Sequence, residues 1–228
     1  MSPTYQTTQL ADRIVVEPQT TATSCVIWLH GLGDSGAGFA PVVPMLNLNA
    51  ALNTRFVFPH APEQAVTING GAVMRSWYDI KSMDLHDRAD IDGVLTSEAI
   101  VKQLINEQNE QGIASNKIIL AGFSQGGVMS LFSGLRYEKP LAGIMALSCY
   151  LPAGEHLPEG LNQANAATPL LQHHGELDEV VPLFAGKMAY QAVTKAGYQS
   201  QWQSYPMGHS ILPEQLIDIG SWINLMLA

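Results

Sequence analysis

The apolar run Lys117–Ala121 (KIILA) leads without a spacer into Gly122-Phe-Ser124-Gln-Gly126, and a helical pattern follows over Val128–Leu135. No other stretch constrains the fold so tightly. A buried strand, a glycine-bracketed turn and a helix in immediate succession make a strand–turn–helix elbow. Its glycines allow a turn that a Cβ would obstruct, and the turn lifts the Ser124 hydroxyl clear of the sheet. A G-x-S-x-G match alone carries little weight; the strand before it and the helix after it give this one its meaning.

The rest of the chain repeats the theme. Ser24–Leu29 (SCVIWL) reads as a strand and runs into His30-Gly-Leu-Gly-Asp-Ser-Gly. Thr54–Phe58 is a second strand, closed by Pro59, and Asp90–Glu110 is a helix with Ile91, Val94, Leu95, Val101, Leu104 and Ile105 on one stripe. Gly143–Ser148 and Leu170–Gln172 are further buried strands. Phe184–Ala196 is a helix ended by Gly197, Tyr198–Tyr205 alternates like a strand, and Pro213 opens a last amphipathic helix. Strands alternating with helices predict an α/β fold, a mostly parallel sheet flanked by helices. With 228 residues, 46% of them hydrophobic, the chain is expected to fill one domain, residues 1–228. Such sheets bind ligands beyond the carboxyl ends of their strands, so the chemistry is expected on the loops that follow them.

Other features exclude function classes. Eleven basic against 20 acidic residues give a net charge of −9, which disfavours nucleic acid and anionic membrane surfaces as partners. The polar start lacks the pattern of a signal peptide, and no apolar run approaches the ~18 residues of a membrane span. Cys25 and Cys149 both lie in apolar runs and make no disulfide framework. A cytoplasmic protein is expected. The stretch from Pro59 to Ala89 is long for a loop, yet carries Val66, Ile68, Met74, Trp77, Tyr78 and Met83. It reads either as a packed excursion with a short hairpin or as a wall of a substrate groove, with Met74, Trp77 and Tyr78 as groove residues.

A serine hydroxyl needs a base. In the elbow fold the order is serine, acid, histidine, and His209 in Gly208-His-Ser210 is the one histidine downstream of His174. The acid is expected after Leu170–Gln172, where Glu176, Asp178 and Glu179 all qualify by position; Asp178 ranks first and Glu176 second. The oxyanion requires main-chain donors. Gln125, next after the nucleophile, supplies one, and the loop His30-Gly-Leu32-Gly33 is placed to supply another. His173-His174 does not suggest a metal, since adjacent strand residues face opposite ways, and Asp84-Leu-His86-Asp87 lacks a zinc spacing. No metal or cofactor is expected.

Taken together, Leu29-His-Gly-Leu-Gly-Asp34-Ser-Gly36, Met74-Arg-Ser-Trp-Tyr-Asp79, Ala121-Gly-Phe-Ser-Gln-Gly-Gly127, His174-Gly-x-x-Asp178-x-Val-Val-Pro182 and Gly208-His-Ser210 resemble the phospholipase/carboxylesterase family of serine hydrolases. That family includes acyl-protein thioesterases and bacterial carboxylesterases. The resemblance implies an α/β-hydrolase fold without a large cap domain, with Ser124 as nucleophile, Asp178 as acid and His209 as base. It implies oxyanion donors at Leu32 and Gln125, and an acyl groove lined by the Trp77–Asp79 segment. Glu176 stands where the family often has Asp, and Cys149 where a small residue is usual. The expected activity is hydrolysis of carboxylic esters, with thioesters included, through an acyl-enzyme. The alternatives are an acyl-protein thioesterase or lysophospholipase, then an acyltransferase or a binding protein on the same fold. The expected partners are small acyl esters or thioesters, or an acylated protein, without stable membrane association. Acyl length and oligomeric state stay open.

Overall fold

The computed structural model describes residues 5–84, 88–153 and 157–228. Residues 85–87, part of the stretch weighed above for metal spacing, lie outside them. Ten strands are described: β1 Tyr5–Gln9, β2 Arg13–Pro18, β3 Ser24–Leu29, β4 Thr54–Pro59, β5 Glu63–Val66, β6 Ala72–Arg75, β7 Ile118–Phe123, β8 Gly143–Leu147, β9 Leu170–Gly175 and β10 Ser200–Tyr205. The α-helices are α1 Gly36–Phe39, α2 Ile91–Glu110, α3 Gln125–Arg136, α4 Leu183–Lys195 and α5 Pro213–Leu227. Eight strands form one sheet in the order β1-β2-β4-β3-β7-β8-β9-β10. From β4 to β10 every pairing is parallel, and the β1–β2 and β2–β4 pairings are antiparallel.

The central strands are buried on both faces, which is why β3 reads as an unbroken apolar run. Cys25, Ile27 and Leu29 face a core shared with α2, α3 and α4. Val26 and Trp28 face a second core, where Phe56 and Phe58 of β4 and Ile119 of β7 meet α5 and the 3-10 helix Ala40–Leu46. The two apolar faces of each strand thus go to two different helical layers.

Local chemistry sets the helix bounds. The Asp90 carboxylate caps α2 by accepting from the Gly93 N–H at 3.2 Å. The stripe expected on α2 is narrower than six residues: Val94, Val101, Leu104 and Ile105 are buried, whereas Ile91 and Leu95 are each 41% exposed on its flank. The excursion after Pro59 contains the hairpin β5–β6, and an isolated bridge pairs Ile80 with Ala89. Cys25 and Cys149 are free and buried. Burial pushes the Cys25 thiol far up and the Cys149 thiol up to about 12. No helix among the described residues is long and apolar enough to cross a membrane.

Candidate active site

Strand β7 ends at Phe123, and Ser124 turns the chain into α3 with φ 55° and ψ −120°. A non-glycine residue at such a φ is strained, and it persists only where its surroundings fix it. The Ser124 N–H donates to the Leu147 carbonyl at 2.8 Å, and its own carbonyl accepts the first helical bond of α3, from Val128 at 3.0 Å. A Cβ on Gly122 would collide with the Gly126 carbonyl, and one on Gly126 with the Leu29 carbonyl. These two glycines are therefore what lets the elbow close against β3.

Asp178 and His209 follow β9 and β10, in the order the sequence predicts. His209 Nε2 lies 2.8 Å from Ser124 Oγ, and Nδ1 lies 2.7 Å from Asp178 Oδ2. A carboxylate only accepts, so Nδ1 carries the proton and Nε2 is left to accept from the serine hydroxyl. The Phe123 ring packs on the imidazole with centroids 4.7 Å apart. Burial would raise the Asp178 carboxyl, but the hydrogen bond from His209 and the N–H groups of Val181 and Val180, at 2.8 and 2.9 Å, hold it below the usual range. It is thus a charged acceptor on a fixed loop. His174 braces that loop, with Nε2 donating to the Val181 carbonyl at 2.8 Å. Burial lowers its pKa despite that bond and the nearby Asp178, so it stays neutral there. Glu176, the second-ranked acid, is exposed and accepts from Ser204 Oγ at 2.9 Å, away from the imidazole.

Leu32 and Gln125 both line a cavity of about 330 Å³ that includes Ser124. Gln125 opens α3, so its N–H has no acceptor within the helix. In the loop after β3, Gly33 donates to the Arg75 carbonyl at 2.9 Å and Asp34 to Gly31 at 3.3 Å. The Leu32 N–H meets no carbonyl among the described residues. Among the described residues, then, two main-chain donors without a carbonyl partner belong to residues of this cavity.

The groove residues are placed differently from expectation. Trp77 and Tyr78 are 1% and 0% exposed and stand behind the cavity, outside its lining. Trp77 Nε1 donates to the His30 carbonyl at 2.9 Å, and the Tyr78 and Tyr150 hydroxyls meet at 3.0 Å. Met74 is half-buried, its sulfur accepting from Asn69 Nδ2 at 3.3 Å. Their segment is pinned to the elbow: the Gln125 side chain accepts from the Trp77 N–H at 2.8 Å and donates to the Tyr78 carbonyl at 2.6 Å. The apolar lining comes instead from Leu32, Ile68, Ile80, Met83, Tyr150, Val180 and Val181. Sequence reasoning missed Arg88 on the same wall, since nothing along the chain distinguishes it from a surface cation. His173 and His174 lie on opposite faces of β9, against Tyr205 and Trp202 respectively. No cluster of metal-ligating side chains exists among the described residues.

A mostly parallel sheet with a strained serine between a strand and a helix, followed by a carboxylate and a histidine on later loops, defines an α/β-hydrolase. The chain belongs to the phospholipase/carboxylesterase family, whose model matches residues 10–227. It is 40% identical over 211 residues to an acyl-protein thioesterase 1 of Neurospora crassa, covering 89% of this chain and 86% of that relative. It is 38% identical over 222 residues to a probable carboxylesterase of Oryza sativa subsp. japonica, covering 94% and 84%. The crystal structure of Arabidopsis thaliana SOBER1 matches with a TM-score of 0.83 and 33% identity, covering 90% of this chain and 99% of that one. The family places the chain among enzymes that hydrolyse carboxylic esters and thioesters.

Proposed function

We propose that the chain is a serine hydrolase in which Ser124, His209 and Asp178 form the catalytic triad. The observation that carries this reading is the unbroken contact from Ser124 Oγ through the imidazole to Asp178, at 2.8 and 2.7 Å. His209 Nε2 takes the hydroxyl proton as Ser124 attacks the ester or thioester carbonyl. Asp178 holds the tautomer and stabilises the imidazolium. The N–H groups of Leu32 and Gln125 receive the oxyanion, each donor worth about 3 kcal/mol of barrier. The protonated imidazole gives its proton to the departing alcohol or thiol. Water, deprotonated by His209, then attacks the acyl-enzyme and frees the acid and Ser124. The cavity beside Ser124 holds the acyl chain.

The relatives named acyl-protein thioesterase support a thioester arm of this activity, with an acylated protein as one substrate. Free, buried cysteines fit a cytoplasmic setting. One sheet drawing strands from residue 5 to residue 205 supports a single domain over 1–228. The test is covalent labelling by a fluorophosphonate, with hydrolysis of matched acyl esters and thioesters. The wild-type protein is expected to label and turn over, and Ser124→Ala to do neither while keeping its thermal transition. Labelling of Ser124→Ala at the wild-type rate would overturn the assignment.

A further inference from the structure

The cavity beside Ser124 is lined mostly by apolar side chains, with Asn69, Gln125, Glu179 and Arg88 among the polar ones. Arg88 lies on its wall, and Arg88 is only 5% exposed. A guanidinium stays charged and carries five N–H donors in a rigid fork. Nη2 donates to the Val180 carbonyl at 3.1 Å, and the cation sits over the Tyr150 ring, 5.0 Å from its centroid. Nε is buried and meets no acceptor among the described residues. No carboxylate among those residues pairs with Arg88 or with the half-buried Arg75, whereas Arg13 has two and Arg55 and Arg136 have one each.

A buried charge without a counter-ion is costly, and so is a buried N–H without an acceptor. The Tyr150 ring, a hydrogen bond to the Tyr150 hydroxyl and the Val180 carbonyl supply part of the compensation, and none of them is an anion. Glu179 also lines the cavity, but it is exposed and forms no ion pair with Arg88. Asp178, the other carboxylate at the site, is bound to His209. Among the described residues no anion meets this cation, which leaves it open to a negatively charged acceptor that enters the cavity from solvent together with the acyl group.

We propose that Arg88 is a specificity-determining residue that binds a carboxylate on the acyl chain. The preferred substrates are then half-esters or half-thioesters of short dicarboxylic acids, the far carboxylate accepting from the guanidinium while Ser124 attacks the ester carbonyl. This rests on Ser124 being the nucleophile and the adjoining cavity holding the acyl chain. The protein's net charge of −9 repels anions at long range, so the selectivity belongs to this one desolvated contact.

The test compares kcat/KM for two aryl ester series of equal length. One consists of succinate, glutarate and adipate half-esters, and the other of the corresponding ω-methyl-ester-capped, neutral esters. Both are measured on wild type, Arg88→Met and Arg88→Lys. Wild type is expected to favour at least one half-ester over its neutral match by about tenfold. Arg88→Met keeps the side-chain length without the charge. It should erase that preference through a higher KM for the half-ester, beyond any loss that both series share. Arg88→Lys should retain part of the preference. An equal proportional loss on both series in Arg88→Met would make Arg88 a clamp on Val180 and Tyr150 and overturn the proposal. So would a wild-type enzyme that cleaves neutral esters without favouring any half-ester. Failure of the wild type on every ester, half-esters included, would instead count against Ser124 as nucleophile.

Discussion

At the scale of single residues, the site separates groups that the sequence leaves side by side. Three acids after β9 qualify by position, and only Asp178 touches the imidazole, at 2.7 Å. It is also the one whose charge is held by two main-chain N–H groups. Asp178→Asn presents an amide to His209 Nδ1 and favours the tautomer that cannot accept the serine proton. We expect kcat to fall by about 10⁴-fold. Glu176→Gln loses only a surface bond to Ser204 and should stay within about twofold of wild type. Ester turnover at saturating substrate checks both, and equal losses would return Glu176 to candidacy. Ser124, Asp178 and His209, the proposed triad, could be picked out because each stands in a short motif at the end of a readable strand. Arg88 was not, because its burial depends on Tyr150 and Val180, which only the fold brings to it.

At the scale of elements, strands with both faces covered announce themselves, and of the strands at the margin only β10 does, by its alternation. β3, β7 and β8 are apolar throughout or nearly so, β9 is buried throughout and opens on Leu170 and Leu171, and the sequence outlines all four. β1 is a polar edge strand, and β2 buries only Ile14 and Val16, so neither contrasts with a loop. The excursion after Pro59 shows a further limit. Its apolar residues are visible, but which way they face is set by Gln125 and by Ser97, whose hydroxyl donates to the Trp77 carbonyl. Trp77→Ala should therefore remove a buried indole at a cost of about 3–5 kcal/mol in stability. At a temperature where the variant is folded, kcat/KM should drop by one common factor for every acyl length. Ile80→Ala, on the cavity wall, should instead shift the preferred acyl length upward, by no more than a few-fold per methylene. Acyl-series kinetics on the two variants decides. A flattened length profile in Trp77→Ala would put the indole in the cavity after all.

At the scale of the whole molecule, the two-layered burial that covers both faces of the sheet also encloses histidines. Burial lowers the pKa of His30, and its ring takes the Ala61 N–H on Nε2 at 3.0 Å. Burial lowers His174 likewise. His173, under Tyr205 on the opposite face of the sheet, is lowered to about 4 by burial, against the opposing charge of Asp218. Each is neutral in the folded protein at a pH where the unfolded chain, titrating near 6.5, already binds a proton. The unfolded state thus gains protons that the native state refuses, and stability falls as pH drops from about 6.5 towards 4. Below about 4 a second loss begins. Hydrogen bonds from Arg13 lower Asp12 and Glu107, and those from His209 and the main chain lower Asp178. These carboxylates give up their contribution as pH falls through their native values. Urea midpoints measured between pH 7.5 and 4 should therefore decline below 6.5, well before any carboxylate protonates. His173→Gln keeps a polar side chain between Tyr205 and the sheet and removes one of the buried titrations. Its stability should vary less steeply across this window than that of the wild type, by up to about 1.4 kcal/mol per pH unit. Parallel curves for the two proteins would mean that His173 protonates as readily folded as unfolded, and that the acid sensitivity arises elsewhere.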